Sequence, residues 1–142
     1  MSTRGCVAIK KGDGWVGVYN HFDSYPTGLG LEVWEELHSL KKKGKVDEFE
    51  KRLLRCLEWG DYFMSEDLDD EEEIASLTPT SADPIFIEYV YVFDPKTEKV
   101  EVLASVPISL INEFPHDYGW MKIGEFDINQ EPNEEVLRDM RR

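Results

Sequence analysis

The nine residues from Ile85 to Phe93 constrain the fold most, because Ile87, Tyr89, Tyr91 and Phe93 alternate with Phe86, Glu88, Val90 and Val92. Side chains alternate across a strand with period two, so this segment is largely apolar on both faces and needs cover on both. It is expected as a central strand. Asp94-Pro95-Lys96-Thr97 then has the residues of a type I turn, and Val100 and Val102 carry a returning strand.

A second hairpin is expected at the amino terminus, where Cys-Val-Ala-Ile-Lys and Trp-Val-Gly-Val-Tyr flank Gly12-Asp13-Gly14. Asp-Gly between β-rich runs is a strong hairpin signal, because the turn needs positive φ. With Asp13 and Gly14 as the two turn residues, Ile9 faces Val18, Val7 faces Asn20 and Gly5 faces Phe22 on a core-directed side. The same register sets Ala8 beside Tyr19, Cys6 beside His21 and Arg4 beside Asp23 on the other side.

Two amphipathic helices follow. Val33, Trp34, Leu37 and Leu40 recur at helical spacing until Gly44, and a second helix is expected from about Asp47 to Trp59, with Phe49, Leu53, Leu54 and Leu57 inward. Further on, Leu110 to Phe114 reads as a helical turn, Trp120 to Phe126 as a strand and Asn133 to Met140 as a short helix. The expected fold is α+β: an antiparallel sheet of about five strands, built from two hairpins plus a C-terminal strand, with two helices packed on one face. At 142 residues the chain reads as a single domain, 1–142.

Charge narrows the function classes. Sixteen Lys and Arg against thirty Asp and Glu give a net charge of −14, which repels phosphate backbones, so direct nucleic-acid binding is not expected. Between Asp61 and Glu73 there are eight acids and no base, and residues 61–84 read as an acidic, mobile connector. That strip suits a basic protein partner, and a second possible role is as an acidic mimic of nucleic acid. No apolar run reaches the ~20 residues that span a bilayer, and Cys6 and Cys56 are the only cysteines, so membrane insertion is not expected and a reducing, cytoplasmic compartment is. A single Gln among many Glu and Lys gives a thermophile-like composition.

The candidate chemistry gathers where the hairpin register brings Arg4, Cys6, His21 and Asp23 together. A His within reach of a Cys favours thiolate and a carboxylate can orient the imidazole, the logic of an activated nucleophile. Against this stands a plain structural reading, with Cys6 a small buried hydrophobe and Arg4–Asp23 an ordinary ion pair. Ser2, exposed if Met1 is removed, is a further candidate nucleophile with His21. No ligand spacing typical of zinc is present, and neither a metal nor another cofactor is expected.

Ser2-Thr3-Arg4, Val7-Ala8-Ile9 and the block from Val18 to Gly30, with His21-Phe22-Asp23-Ser24-Tyr25-Pro26, resemble a family of small uncharacterised phage and prokaryotic proteins. The likeness covers about the first thirty residues, with looser similarity at Tyr89–Asp94, and Ser24 stands where that family has Gly. It implies interest in Arg4, His21, Asp23, Tyr25 and Pro26 and names no reaction. The leading expectation is a binding or interaction domain. Its polar pocket at the strand ends, walled by Tyr25, Tyr118 and Trp120, takes a small ligand or a partner segment. A hydrolase using Cys6 or Ser2 with His21 is the runner-up.

Overall fold

The computed structural model describes residues 3–64, 72–105 and 119–140. The elements are β1 (Gly5–Lys11), β2 (Gly14–Asn20), α1 (Leu31–Lys42), α2 (Asp47–Leu53), β3 (Tyr89–Asp94), β4 (Lys99–Ser105), β5 (Trp120–Asp127) and α3 (Glu134–Asp139). They form an α+β fold around a five-stranded sheet in the order β2-β1-β3-β4-β5. Both expected hairpins are present and β5 pairs antiparallel to β4. The sheet is nevertheless mixed, because β1 and β3 run parallel, with Gly5 opposite Tyr89 and Ile9 opposite Phe93. Parallel neighbours need a long crossover, and the chain between β2 and β3 supplies one that carries α1 and α2.

Local chemistry explains most boundaries. Lys41 and Lys42 occupy the last turn of α1, where cations suit the helix dipole. Gly44 then takes a φ of +70°, with its N–H bonded to the Lys41 carbonyl and that of Lys45 to Leu40, the paired closure that ends a helix. Asn133 caps α3 by accepting from the Glu135 N–H at 2.8 Å. The second helix is shorter than expected and ends at Leu53. Leu57 therefore lies outside it, 67% exposed, while Trp59 to Phe63 form a separate 3₁₀ turn that buries Trp59 and Tyr62. The expected strand from Ile85 begins only at Tyr89. Upstream, the Asp83 carboxylate accepts from the Ile85 N–H and its carbonyl from Phe86 and Ile87, so the chain turns where alternation alone reads extended.

The sheet carries a core on each side. On the first face Val7, Ile9, Val18, Tyr91, Phe93, Val100 and Val102 meet Val33, Leu37 and Leu40 of α1, Phe49 and Leu53 of α2 and Leu137 of α3. On the second face Cys6, Ala8, Trp15, Val90, Val92 and Trp120 meet Ala82 and Ile87, with Leu77 packed alongside. The two-sided cover expected for β3 is thus present, helices on one side and loop on the other. The chain reaches the second face around the β2 edge, where Gly17 and Leu77 exchange backbone hydrogen bonds of 2.8 and 3.2 Å. This pairing uses backbone groups that an edge strand otherwise leaves open. Residues 72–84 of the acidic stretch include this docked segment. No helix among the described residues is long and apolar enough to cross a membrane.

A candidate ligand-binding groove

The amino-terminal cluster is arranged differently from the register expected for it. The turn residues are Gly12 and Asp13, with Lys11 opposite Gly14, so Cys6 faces Tyr19 and not His21. Gly12 has a φ of +58° and Asp13 is not among the positive-φ residues, as in a two-residue loop that takes glycine first. This register sets Val7 opposite Val18 and Ile9 opposite Val16. It also puts Gly17 opposite Ala8, where an added Cβ would lie 2.4 Å from the Val7 carbonyl oxygen and 2.7 Å from Cys6 Sγ. The difference is two residues, so within the two strands every side chain keeps its expected face but changes its partner. Phe22, expected on the core side opposite Gly5, instead lies beyond the end of β2 and is 64% exposed.

The consequence is chemical. Cys6 is fully buried in the second-face core, and burial pushes its thiol far above the usual range. His21 is exposed and its Nδ1 lies 2.7 Å from the Tyr19 hydroxyl. No hydrogen bond joins Cys6 to His21, and no ion pair joins Arg4 to Asp23. Asp23 is exposed in a left-handed conformation with a φ of 52°. The Arg4 guanidinium lies over the Phe86 ring at 5.7 Å. The conspicuous block around these residues is a joint. Ser24 is fully buried, its N–H bonded to the Thr3 carbonyl at 3.1 Å and its own carbonyl accepting from the Tyr91 hydroxyl at 2.5 Å. Tyr25 packs on Gly28, and Pro26 to Gly30 form a π-helical turn that feeds α1. Tyr118 and Ser2 lie outside the described residues, as does the expected turn at 110–114.

Thiol reactivity checks this arrangement. In the native protein Cys6 is expected to resist iodoacetamide at pH 8, at no more than about a hundredth of the rate of a free thiol, since the reactive thiolate is suppressed. Burial also raises the Cys56 thiol, so both should label together once urea unfolds the chain. Mass spectrometry showing Cys6 labelled ahead of Cys56 in the folded state would contradict the buried placement.

What the second face does offer is a groove of about 420 Å³ to which all five strands contribute. Trp15, Val92, Leu103 and Trp120 make its apolar walls, and Lys10, Asp13, Glu101 and Lys122 bring charge to it. Trp15 and Trp120 come from the two edge strands, yet their ring centroids are 6.2 Å apart at 72°. They can touch across three intervening strands only if the sheet curls on this face, as twisted sheets do. The two indoles form an aromatic corner rather than a slot.

A bulge in β5 places Trp120 there. Val102 pairs with Gly124 but the next residue, Leu103, pairs with Lys122, so Ile123 is the extra residue. Without it, strict alternation would put Trp120 and Lys122 on the same face as Phe126, in the helix-covered core. With it they join Leu103 on the second face. Lys122 Nζ then lies 3.8 Å from Glu101 and 3.5 Å from Glu125. These carboxylates sit directly opposite one another across the strands and would otherwise repel. The indole N–H of Trp120 is buried and has no hydrogen-bond partner among the described residues.

Of the expected ligand residues, the groove therefore contains Trp120. Lys10, Trp15, Val92, Leu103 and Lys122 were not anticipated. Strand alternation does put Lys10 and Trp15 on one face with Cys6 and Ala8, but nothing in the sequence marks the bulge that adds Trp120 and Lys122. Among the described residues no three His, Cys, Asp or Glu side chains are placed to hold a metal ion. No protein-family profile, curated protein or solved structure matches this chain.

Proposed function

We propose that this chain is a binding domain whose small ligand occupies the groove beside the Trp15–Trp120 corner. The observation that carries the reading is Trp120 itself. It reaches the groove wall from one edge of the sheet and meets Trp15 from the other, with ring centroids 6.2 Å apart, so residues from all five strands close one concave site. A concave site of a few hundred Å³ that combines apolar walls with a few polar groups is the usual form of a small-molecule site. A hydrolase acting through Cys6 lacks comparable support, since that thiol is fully buried and faces Tyr19 and not His21.

The test uses a Leu103→Trp variant, which fills the groove at a half-buried position, and NMR of the indole N–H groups of the four tryptophans. Small apolar fragments are expected to shift Trp15 and Trp120 while leaving Trp34 and Trp59 in place. Leu103→Trp should weaken that binding at least about tenfold, or ~1.4 kcal/mol, with thermal stability retained. Fragments that leave Trp15 and Trp120 unmoved, or that bind the filled variant equally well, would refute the assignment.

A further inference from the structure

The two faces of the sheet are closed by covers of very different strength. On the first face α1 and α2 bury Val33, Leu37, Phe49 and Leu53 completely. On the second face the apolar cluster draws, among the described residues outside the sheet, on Leu77, Ala82 and Ile87. Ala82 is the one buried residue between positions 76 and 83, and its side chain is a single methyl. We propose that residues 76–83 are a strap that swings off the second face while the sheet stays paired, opening the groove and uncovering Cys6.

The strap is fixed at its ends and weakly held between them. Upstream, the Ile74 and Ala75 N–H groups both donate to the Leu54 carbonyl, at 2.8 and 3.0 Å. Downstream, the Asp83 carboxylate accepts from the Ile85 N–H and its carbonyl from those of Phe86 and Ile87. In between, its hydrogen bonds to the sheet, among the described residues, are the two that Leu77 exchanges with Gly17. The others are internal. The Thr78 N–H donates to Ser81 Oγ at 2.8 Å, the Ser81 N–H to Thr78 Oγ1 at 3.2 Å and Ser81 Oγ to the Ser76 carbonyl at 3.1 Å. A segment with so few buried apolar contacts and so exposed a backbone stands at the low end of local stability, and opens before the strands separate.

Opening changes what the second face presents. Pro79 of the strap lies beside Gly14 and lines the groove with Trp15. While the strap is closed, Trp15, Val92 and Trp120 are only 5%, 4% and 3% exposed, so release of Pro79, Leu77 and Ala82 is what makes these walls reachable. Cys6 shares the same core with Ala82, and its slow reaction with iodoacetamide proceeds through the same opening. The strap opens whether or not the groove takes a ligand.

Native-state hydrogen exchange on the full-length ¹⁵N-labelled chain separates strap opening from loss of the whole edge strand. The Gly17 N–H bonds to Leu77, whereas alternation along β2 aims the Val16 and Val18 N–H groups at β1. Gly17 is expected to exchange at least about a hundredfold faster than Val16 and Val18, at a rate that low urea does not change. Thr78→Ala combined with Ser81→Ala removes the internal side-chain bonds. It should speed both Gly17 exchange and Cys6 labelling by about tenfold and leave Val16 and Val18 unchanged. Gly17 exchanging in step with Val16 and Val18 would show that β2 leaves as a unit and would overturn the strap, as would a double variant that alters neither rate. Faster Gly17 exchange with unchanged Cys6 labelling would overturn the claim that the strap uncovers Cys6.

Discussion

Replacing Trp59 with alanine is expected to lower the free energy of unfolding by about 3–5 kcal/mol, the usual cost of deleting a buried large aromatic. Trp59 is 2% exposed and its ring lies 4.9 Å from that of Tyr62, 5.1 Å from Phe63 and 6.2 Å from Phe49. Its indole also donates to Glu32 of α1 at 2.7 Å, so the side chain ties the 3₁₀ turn to the first helix as well as filling space. Trp59→Phe keeps most of the ring contacts and loses the hydrogen bond, which should cost only about 1 kcal/mol. Urea denaturation of the two variants measures both. If alanine and phenylalanine prove equally mild, the ring is not packed as described.

Leu53→Ala comes next, with an expected loss of about 2–5 kcal/mol. Leu53 is the last residue of α2, fully buried in the helix-covered core. A loss below about 0.5 kcal/mol, the range of an ordinary surface substitution, would mean that α2 presents another face to the sheet. Leu57 provides the internal control. It falls one helical turn beyond Leu53 in sequence but is largely exposed, so Leu57→Ala should stay within about 0.5 kcal/mol. Helical spacing alone makes these two leucines equivalent, and the early end of α2 separates them.

The same contrast runs through what the sequence made legible. Period-two patterning identified both hairpins and the two-sided cover of β3, because burying an apolar face is a strong, local requirement. It did not fix the register of the first hairpin. Turns at Gly12-Asp13 and Asp13-Gly14 differ by two residues, so Val7, Ile9 and Val18 face the core in either arrangement. What differs between them is the contact around Gly17, which in the observed register packs against Val7, Ala8 and Cys6 of the other strand, a fit between two strands rather than a property of either. The parallel pairing of β1 with β3 is equally non-local. Cys6 and His21 shared a face as expected, and the two-residue difference still removed the proposed dyad.

The groove was less legible than the sheet. Trp120 stood out as an aromatic at the start of a strand, but its direction depends on one extra residue at Ile123. A bulge leaves little trace in composition, and here it changes the face of a strand end while leaving Phe126 in the opposite core. In the block from His21 to Tyr25 the buried residue is Ser24, while His21 and Asp23 are exposed. Ser24 ties the ends of β1 and β3 together through Thr3 and Tyr91 and is sealed against Gly5, where an added Cβ would approach to 2.5 Å.

The curl that brings Trp15 against Trp120 also decides which state of the chain a bound molecule can stabilise. Lys10, Trp15, Val92, Leu103 and Trp120 come one from each of the five strands, so the cavity vanishes in any partly opened form that releases either edge of the sheet. An occupant consequently discriminates against local opening as strongly as against complete unfolding. At a hundred times its dissociation constant it would add about 2.7 kcal/mol to both. Sub-global openings of β2 or β5 would then be suppressed together, and the two edges of the sheet would be coupled through a molecule that is not part of the chain.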